Sequence, residues 1–189
     1  MSAKTKTIAI IAVFIILLVG SVFLYNNLKD QVNPSDNVVN GQGNIQANEN
    51  NKTKASDFTV YDTNGNAIKL SDMEGKPIVL NFWASWCPPC KEEMPHFDAV
   101  YSELGDDVQF MMIDLVDGGS ETVETGKAYI TQQGFSFPVF FDTSEEAGNT
   151  YGIHAIPTTF FIDKDGYIVT STQGTINEKT LRAYIDMIR

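Results

Sequence analysis

The chain of 189 residues contains two cysteines, Cys87 and Cys90, separated by two prolines in the stretch Trp86–Lys91. At this spacing the second sulfur comes within disulfide reach of the first, one helical turn further along the chain. Such a pair can exchange disulfides with another protein, because one thiolate attacks a disulfide sulfur and the neighbouring thiol then releases the product. Two cysteines are too few for a disulfide scaffold, which needs four or more.

The same spacing also occurs in half of a zinc site. His96 and His154 would have to supply the remaining nitrogen ligands, and they lack the close spacing that is typical of zinc motifs. Covalent haem attachment needs a histidine directly after the second cysteine, but residue 91 is lysine. Disulfide exchange is therefore the favoured chemistry of the pair.

The residues around the cysteines predict a strand followed by a helix. Ile78–Trp83 is a short apolar run, as expected of a strand buried on both faces. Apolar residues then recur at helical spacing over Met94–Leu104. Cys87 would lie just before the first helical turn, where free N–H groups and the helix dipole lower the pKa of a thiol. Pro88 and Pro89 have no N–H groups, so we expect this lowering to be moderate.

Strand and helix signals alternate through residues 56–189. Asn64-Gly65 between two short strands is a hairpin signal, and Thr175 with Glu178 has the spacing of a helix capping box. The order of elements predicts an α/β fold with a mixed central sheet and helices on both faces. The predicted strands are 58–61, 67–70, 78–83, 108–115, 138–141, 158–162 and 167–172, and the predicted helices follow residue 87, cover 121–134 and follow residue 175.

Composition divides the chain into three parts. In residues 1–28, Ile8–Tyr25 is an uncharged run of 18 residues, and Lys4 and Lys6 precede it. This pattern predicts a single-pass membrane anchor with a cytoplasmic N-terminus, and a cleaved signal peptide is the alternative. Residues 29–55 are rich in asparagine and predict a flexible linker. The domain over 56–189 would then lie on the extracytoplasmic side of the cell membrane, where disulfides persist.

The charge of the chain excludes one class of partner. The net charge is −11, and 21 of the 24 acidic residues lie in residues 56–189. A protein with this excess of acid would repel the phosphate backbone of a nucleic acid, so we expect no nucleic-acid partner. Protein partners are expected to be neutral or basic near the contact.

Two stretches resemble the thioredoxin superfamily and, more narrowly, its membrane-anchored TlpA/ResA/CcmG-type thiol–disulfide oxidoreductases. The first is Val79–Pro95, which contains both cysteines, and the second is Tyr151–Asp163, which is similar to the cis-proline loop of that family. The resemblance covers residues 56–189. It implies a thioredoxin fold with an N-terminal β-hairpin and a central αβ insertion around residues 118–134.

The resemblance also implies catalytic roles. Cys87 would be the exposed nucleophile, Cys90 the buried resolving thiol, and Pro157 a cis-proline that faces the disulfide. Thioredoxin itself has a buried aspartate where this chain has Asn81, which cannot take up a proton. Glu93 is then the candidate to accept the proton of Cys90, because burial raises the pKa of a carboxyl. The alternative is that Glu93 is only a surface charge in the first turns of the helix.

Three further residues are expected to contact substrate. The backbone of Ile156 would pair with an extended substrate segment, as in strand addition. Trp86 and Pro88 flank Cys87 and would shape the surface that meets the substrate. His154 could also approach the sulfurs, and the alternative is a loop histidine without a role.

The resemblance implies an enzyme that reduces protein disulfides with a redox-active disulfide as its only redox group. Its partners would be protein thiols or disulfides and a membrane thiol carrier as electron donor. The double proline favours the reducing direction, but a thiol oxidase of the same fold stays open. A Sco-like copper chaperone is a further alternative, because His154 could serve as the distal histidine of that class. However, that class has three residues between its cysteines. The client could be apocytochrome c during cytochrome c maturation, a peptide-methionine-sulfoxide reductase, a cell-wall enzyme or damaged proteins in general.

Overall fold

The computed structural model describes residues 53–189. The predicted anchor over residues 1–28 and the predicted linker as far as residue 52 lie outside the described residues. Within residues 53–189, no helix combines the length and the apolar character that crossing a membrane requires.

The described part contains eight strands, four α-helices and one 3₁₀ helix over Leu70–Met73. The strands are β1 (Thr53–Lys54), β2 (Thr59–Tyr61), β3 (Ala67–Lys69), β4 (Ile78–Trp83), β5 (Gln109–Leu115), β6 (Val139–Asp142), β7 (Thr158–Ile162) and β8 (Tyr167–Gln173). The helices are α1 (Pro88–Leu104), α2 (Val123–Gln133), α3 (Glu146–Thr150) and α4 (Glu178–Ile188).

All eight strands form one sheet in the order β1-β8-β7-β4-β5-β6-β2-β3. β4 is parallel to β5, and β5 is parallel to β6, whereas β4 is antiparallel to β7. The predicted mixed sheet is therefore confirmed. β2 and β3 form the predicted N-terminal hairpin, which joins the sheet through β6.

β4 lies at the centre of the sheet, and all six of its residues are buried. Its side chains alternate between the two faces, because successive residues of a strand point in opposite directions. Val79 and Trp83 pack in one core cluster, to which α1 and α4 contribute Phe97 and Leu181. Leu80 packs in the second core cluster, on the other face. Two cores cover β4, as its continuous apolar run predicts.

The structure corrects the predicted start of the last helix. The predicted capping box of Thr175 and Glu178 is wrong, since Asn177 caps α4 and its Oδ1 accepts a hydrogen bond from the N–H of Thr180 at 2.9 Å. Thr175 lies two residues before this N-cap, and its hydroxyl instead donates to the carbonyl oxygen of Pro89 at 3.1 Å. Thr53–Lys54 pairs with β8, so the sheet begins at least three residues before the predicted domain start at residue 56.

Gly126 allows α2 to approach the sheet. It is buried in the helix, and a Cβ atom added there would collide with Oδ2 of Asp114 and lie 3.1 Å from a ring carbon of Phe141. Both neighbours are themselves buried, so they have little room to yield. The absence of a side chain at residue 126 therefore allows α2 to pack closely against the sheet.

We expect Gly126→Ala to destabilise the fold by about 2 kcal/mol, because overpacking outweighs the roughly 1 kcal/mol that alanine gains in a helix. Urea denaturation measures the change. Gly119→Ala is the matched control, since its Cβ would make only an ordinary 3.7 Å contact with Asp117. Equal stability of both variants would show that α2 can move away from the sheet at little cost.

Candidate active site

Cys87 and Cys90 lie at the start of α1, after the short loop that follows β4. Cys87 occupies the N-cap of α1 with an extended backbone, and Pro88 begins the helix. The two cysteines form a disulfide, with their Cα atoms 5.3 Å apart. The structure therefore represents the oxidised form of the pair.

The expected exposure of Cys87 is wrong for this oxidised form. Cys87 is 2% exposed and Cys90 is 1% exposed, so only the burial of Cys90 agrees with the prediction. Cys87 is bonded to a buried partner and belongs to the first core cluster, against which Ile156 packs. The disulfide holds the Cys87 sulfur inward, near the backbone of Ile156.

The start of α1 offers one backbone donor to the sulfur of Cys87. The N–H of Cys90 donates to this sulfur at 3.2 Å. Pro88 and Pro89 lie between them and have no N–H groups to add. The helix terminus therefore favours a thiolate on Cys87 through its dipole and a single hydrogen bond.

A cis peptide bond joins Ile156 to Pro157, as predicted. The carbonyl oxygen of Ile156 lies 3.8 Å from the sulfur of Cys87. Gly174 ties this loop to the end of β8, because its N–H donates to the carbonyl oxygen of Pro157 at 2.8 Å. The cis-proline loop thus faces the disulfide directly.

The predicted substrate-contacting residues surround the disulfide. Trp86 is 53% exposed, which is unusual for the largest apolar side chain. Pro88 is also exposed, and Ile156 is half-buried. An exposed aromatic ring and an exposed proline beside a covered sulfur form a surface on which another polypeptide could rest.

Glu93 lies inside the protein, so the surface-charge alternative is wrong. It is 1% exposed, whereas its neighbour Glu92 is exposed. Its Oε1 accepts a hydrogen bond from Nδ2 of Asn81 at 2.9 Å, and its Oε2 accepts one from the N–H of Ile176 at 3.0 Å. Burial raises the pKa of Glu93 to about 7, against the lowering effect of these two hydrogen bonds. A carboxyl that titrates near neutrality can both take up and release a proton.

A second buried glutamate, Glu121, was not predicted. Its carboxylate accepts hydrogen bonds from the N–H of Ser85 at 2.6 Å, from the hydroxyl of Ser85 at 2.8 Å, and from the hydroxyl of Thr125 at 2.5 Å. Ser85 stands two residues before Cys87, so the insertion between β5 and β6 holds the active-site loop through this carboxylate. The sequence carries no signal for this contact, because 36 residues separate its partners.

Asp114, at the end of β5, is a third buried acid next to this loop. It is fully buried, and neither carboxyl oxygen has a hydrogen-bond partner among the described residues. Trp83 lies beside it in the sheet register, and its Nε1 is likewise without a partner there. Burial, together with the negative charge of Glu121, raises the pKa of Asp114 to about 8. Asp114 is therefore mainly protonated at neutral pH.

The structure does not assemble a metal site from the predicted residues. Among residues 53–189, no group of three or more histidine, cysteine or acidic side chains could hold a metal ion. His96 is half-buried on α1, whereas His154 is exposed and lines a groove of about 270 Å³ with residues of β7 and β8.

Comparison with known proteins gives matches over the same region. The model of the AhpC/TSA family matches residues 52–171. Thiol-disulfide oxidoreductase ResA of Bacillus anthracis is 36% identical over 136 residues, which cover 71% of this chain and 76% of the relative.

Solved structures also match. StoA from Bacillus subtilis is 28% identical with a TM-score of 0.60, and the match covers 68% of this chain and 96% of StoA. The exposed lipoprotein thioredoxin Etrx1 of Streptococcus pneumoniae is 30% identical with a TM-score of 0.59, and the match covers 69% of this chain and 98% of that one. These matches confirm the predicted thioredoxin-like fold.

The titration of Asp114 gives a testable pH dependence. The unfolded carboxyl ionises near pH 4 and the folded one near pH 8, so the stability present below pH 4 is lost as the pH rises towards 8. Asp114→Asn cannot ionise, and we expect its stability relative to the parent to increase by about 3 kcal/mol between pH 5 and pH 8. At pH 5 the difference should be much smaller.

Denaturant unfolding at pH 5 and pH 8 measures this difference. Asp186→Asn, at an exposed position of α4, serves as the control and should show no growth of the difference with pH. A constant difference between Asp114→Asn and the parent at both pH values would contradict the raised pKa.

Proposed function

This chain belongs to the AhpC/TSA family, and from that premise we propose that it reduces disulfides of other proteins outside the cytoplasm, using Cys87 and Cys90. Thiol–disulfide exchange is the activity named for its ResA relatives. One observation carries the proposal: a cysteine pair at a helix N-terminus faces a cis-proline loop, with a buried carboxyl one turn further along the same helix. The chain is accordingly a thiol–disulfide oxidoreductase, and the direction and the residue roles are our proposal.

The first step forms a mixed disulfide. In the reduced chain, the thiolate of Cys87 attacks one sulfur of the substrate disulfide. The substrate S–S bond breaks, a bond forms between Cys87 and the attacked sulfur, and the other substrate sulfur leaves as a thiolate that takes a proton from water. The helix dipole and the N–H of Cys90 favour the attacking thiolate.

The second step releases the substrate. Cys90 gives its proton to the carboxylate of Glu93 and attacks the sulfur of Cys87. The Cys87–Cys90 disulfide forms, and the second substrate sulfur leaves as a thiolate and is protonated. The substrate has gained two electrons from the dithiol and two protons, one from water in the first step and one that passes from Cys90 through Glu93. A membrane thiol carrier would restore the dithiol by the same exchange in reverse.

The substrate would lie in the groove between the two loops. An extended segment could hydrogen-bond to the backbone of Ile156 while its disulfide meets Cys87. Trp86 and Pro88 would provide apolar contact on the other side. Because Cys87 is covered in the oxidised form, the chain would expose this sulfur by breaking the disulfide or by moving the loop of Ile156.

We place the domain outside the cytoplasm on a membrane anchor. The support is the uncharged run Ile8–Tyr25 behind Lys4 and Lys6, followed by an asparagine-rich linker. A similar solved protein is described as an exposed lipoprotein. Apocytochrome c thiols, kept reduced for cytochrome c maturation, are one client class that such a reductant would serve.

The cysteine roles can be tested by trapping. We expect Cys90→Ser in the full-length chain to accumulate a covalent adduct with a disulfide-bonded test protein, because the mixed disulfide cannot be resolved. Cys87→Ser should form little or none. Mass spectrometry with and without a strong reductant measures the adduct, and equal trapping by both variants would contradict the assignment.

The proposed direction predicts a redox potential. We expect equilibrium with glutathione buffers to give a value below about −200 mV for the Cys87–Cys90 couple. A couple with a low redox potential has a disulfide that is difficult to reduce, so the oxidised chain should persist in mild reductant. A value near −120 mV would instead indicate a thiol oxidase.

The role of Glu93 predicts a change in kinetics. Glu93→Gln should slow resolution of the mixed disulfide by about tenfold or more near neutral pH, because general base catalysis is lost. Stopped-flow measurement of product release at several pH values tests this. Glu92→Gln, at the exposed neighbouring position, is the matched control, and equal rates in both variants at every pH would exclude Glu93 as the proton acceptor.

A further inference from the structure

Asn81 lies in β4, six residues before Cys87, and is fully buried. Its Nδ2 donates one hydrogen to Oε1 of Glu93 and the other to Oγ1 of Thr159, both at 2.9 Å. Its Oδ1 is buried without a hydrogen-bond partner among the described residues. Buried polar atoms are nearly always paired, so an amide with a free acceptor beside a titratable carboxyl calls for a physical reason.

The surroundings of Glu93 determine which of its oxygens can carry a proton. Oε2 accepts from the backbone N–H of Ile176, a group that can only donate. A proton on Glu93 is therefore best placed on Oε1, the oxygen that faces Asn81. In the described part of the chain, the influences on the pKa of Glu93 are burial and these two hydrogen bonds, with no charged side chain among them. Cys90 lies one turn before Glu93 on the same helix.

We propose that Asn81 is a positioning residue for Glu93, and that its amide rotates about the Cβ–Cγ bond as Glu93 gains or loses a proton. In the orientation seen here, Nδ2 donates to the carboxylate. In the rotated orientation, Oδ1 accepts from the carboxylic acid. The hydroxyl of Thr159 suits both orientations, because it can accept from Nδ2 or donate to Oδ1.

Each orientation of the amide leaves one of its two polar atoms unpaired. In the orientation seen here the amide oxygen has no partner. In the rotated orientation the amide nitrogen would take its place and be unpaired instead. Rotation therefore exchanges one unpaired amide atom for the other, which costs less than breaking a fully satisfied set of hydrogen bonds.

An asparagine also keeps the proton on Glu93. An aspartate at residue 81 would be a second carboxyl within hydrogen-bond distance, and two such groups share and compete for one proton. The amide of Asn81 holds the same position but cannot take up a proton. This inference rests on the proposed role of Glu93 as the proton acceptor of Cys90, and it adds the residue that keeps Glu93 hydrogen-bonded before and after the transfer.

A titration of the full-length oxidised chain tests the rotation without substitution. We expect the side-chain amide signals of Asn81, in ¹⁵N-asparagine-labelled chain, to shift with one midpoint. That midpoint should equal the one seen for the Glu93 carboxyl carbon in ¹³C-glutamate-labelled chain. The shift should disappear in Glu93→Gln. Asn81 amide signals that stay constant while Glu93 titrates would overturn the proposal.

Asn81→Leu, a near-isosteric change, tests the hydrogen bond to Glu93. We expect the midpoint of Glu93 to rise by about one pH unit or more, because the carboxylate loses a buried donor. Thr159→Val is the matched control: it removes a hydrogen bond of the same amide but none of Glu93, and should shift the midpoint much less. Equal shifts in both variants, or no shift in Asn81→Leu, would overturn the proposal. If Asn81→Leu does not fold, the titration of the Asn81 amide signals in the parent chain still tests the proposal.

Kinetics separate this inference from the proposed function. We expect the pH profile of mixed-disulfide resolution in Asn81→Leu to move upward by the same amount as the Glu93 midpoint. A moved midpoint with an unchanged rate profile would uphold Asn81 as the positioning residue of Glu93 and overturn the role of Glu93 as proton acceptor.

Discussion

The burial of the Glu93 carboxyl is the constraint on which the active site depends. A carboxylate removed from water is costly unless donors replace the lost hydration. One donor comes from a strand and the other from the backbone before α4, so β4, α1 and that loop must keep their positions for Glu93 to stay inside. The donors compensate burial only in part, which leaves the pKa of Glu93 near neutrality rather than at its usual low value.

The short loop between β8 and α4 connects the two sides of the active site. Gly174 donates to Pro157 on the cis-proline side, whereas Thr175 and Ile176 donate to Pro89 and Glu93 on α1. Backbone groups supply two of these three hydrogen bonds, so many side chains could occupy the loop without changing them. The helix that carries the cysteines and the loop that faces them are thereby held at a defined separation.

The insertion between β5 and β6 supports the cysteine loop from a third direction. Glu121 holds Ser85 through charge-assisted hydrogen bonds, which are stronger than neutral ones. Burial is the main cause of the raised pKa of nearby Asp114, and the negative charge of Glu121 raises it further. Gly126 packs α2 against this same acid, since a Cβ atom at residue 126 would collide with Oδ2 of Asp114.

Local signals were enough for the chemistry and for most of the fold. The C-x-x-C spacing, the apolar run of β4 and the helical periodicity after Cys87 depend on neighbouring residues, whose geometry follows from the backbone alone. The cis bond before Pro157 was expected from the family resemblance of Tyr151–Asp163 and not from a local signal, because the chain has seven prolines.

Tertiary structure decided what surrounds each reactive group. The partners of Glu93 lie 12 and 83 residues away, and Ser85 lies 36 residues from Glu121, so no local period could bring them together. The same holds for the contact between the Cys87 sulfur and the carbonyl oxygen of Ile156, since 69 residues separate them. Burial and hydrogen-bond partners depend on how distant segments pack, and this is why the reactive types could be read from the sequence, whereas their pKa values and accessibility could not.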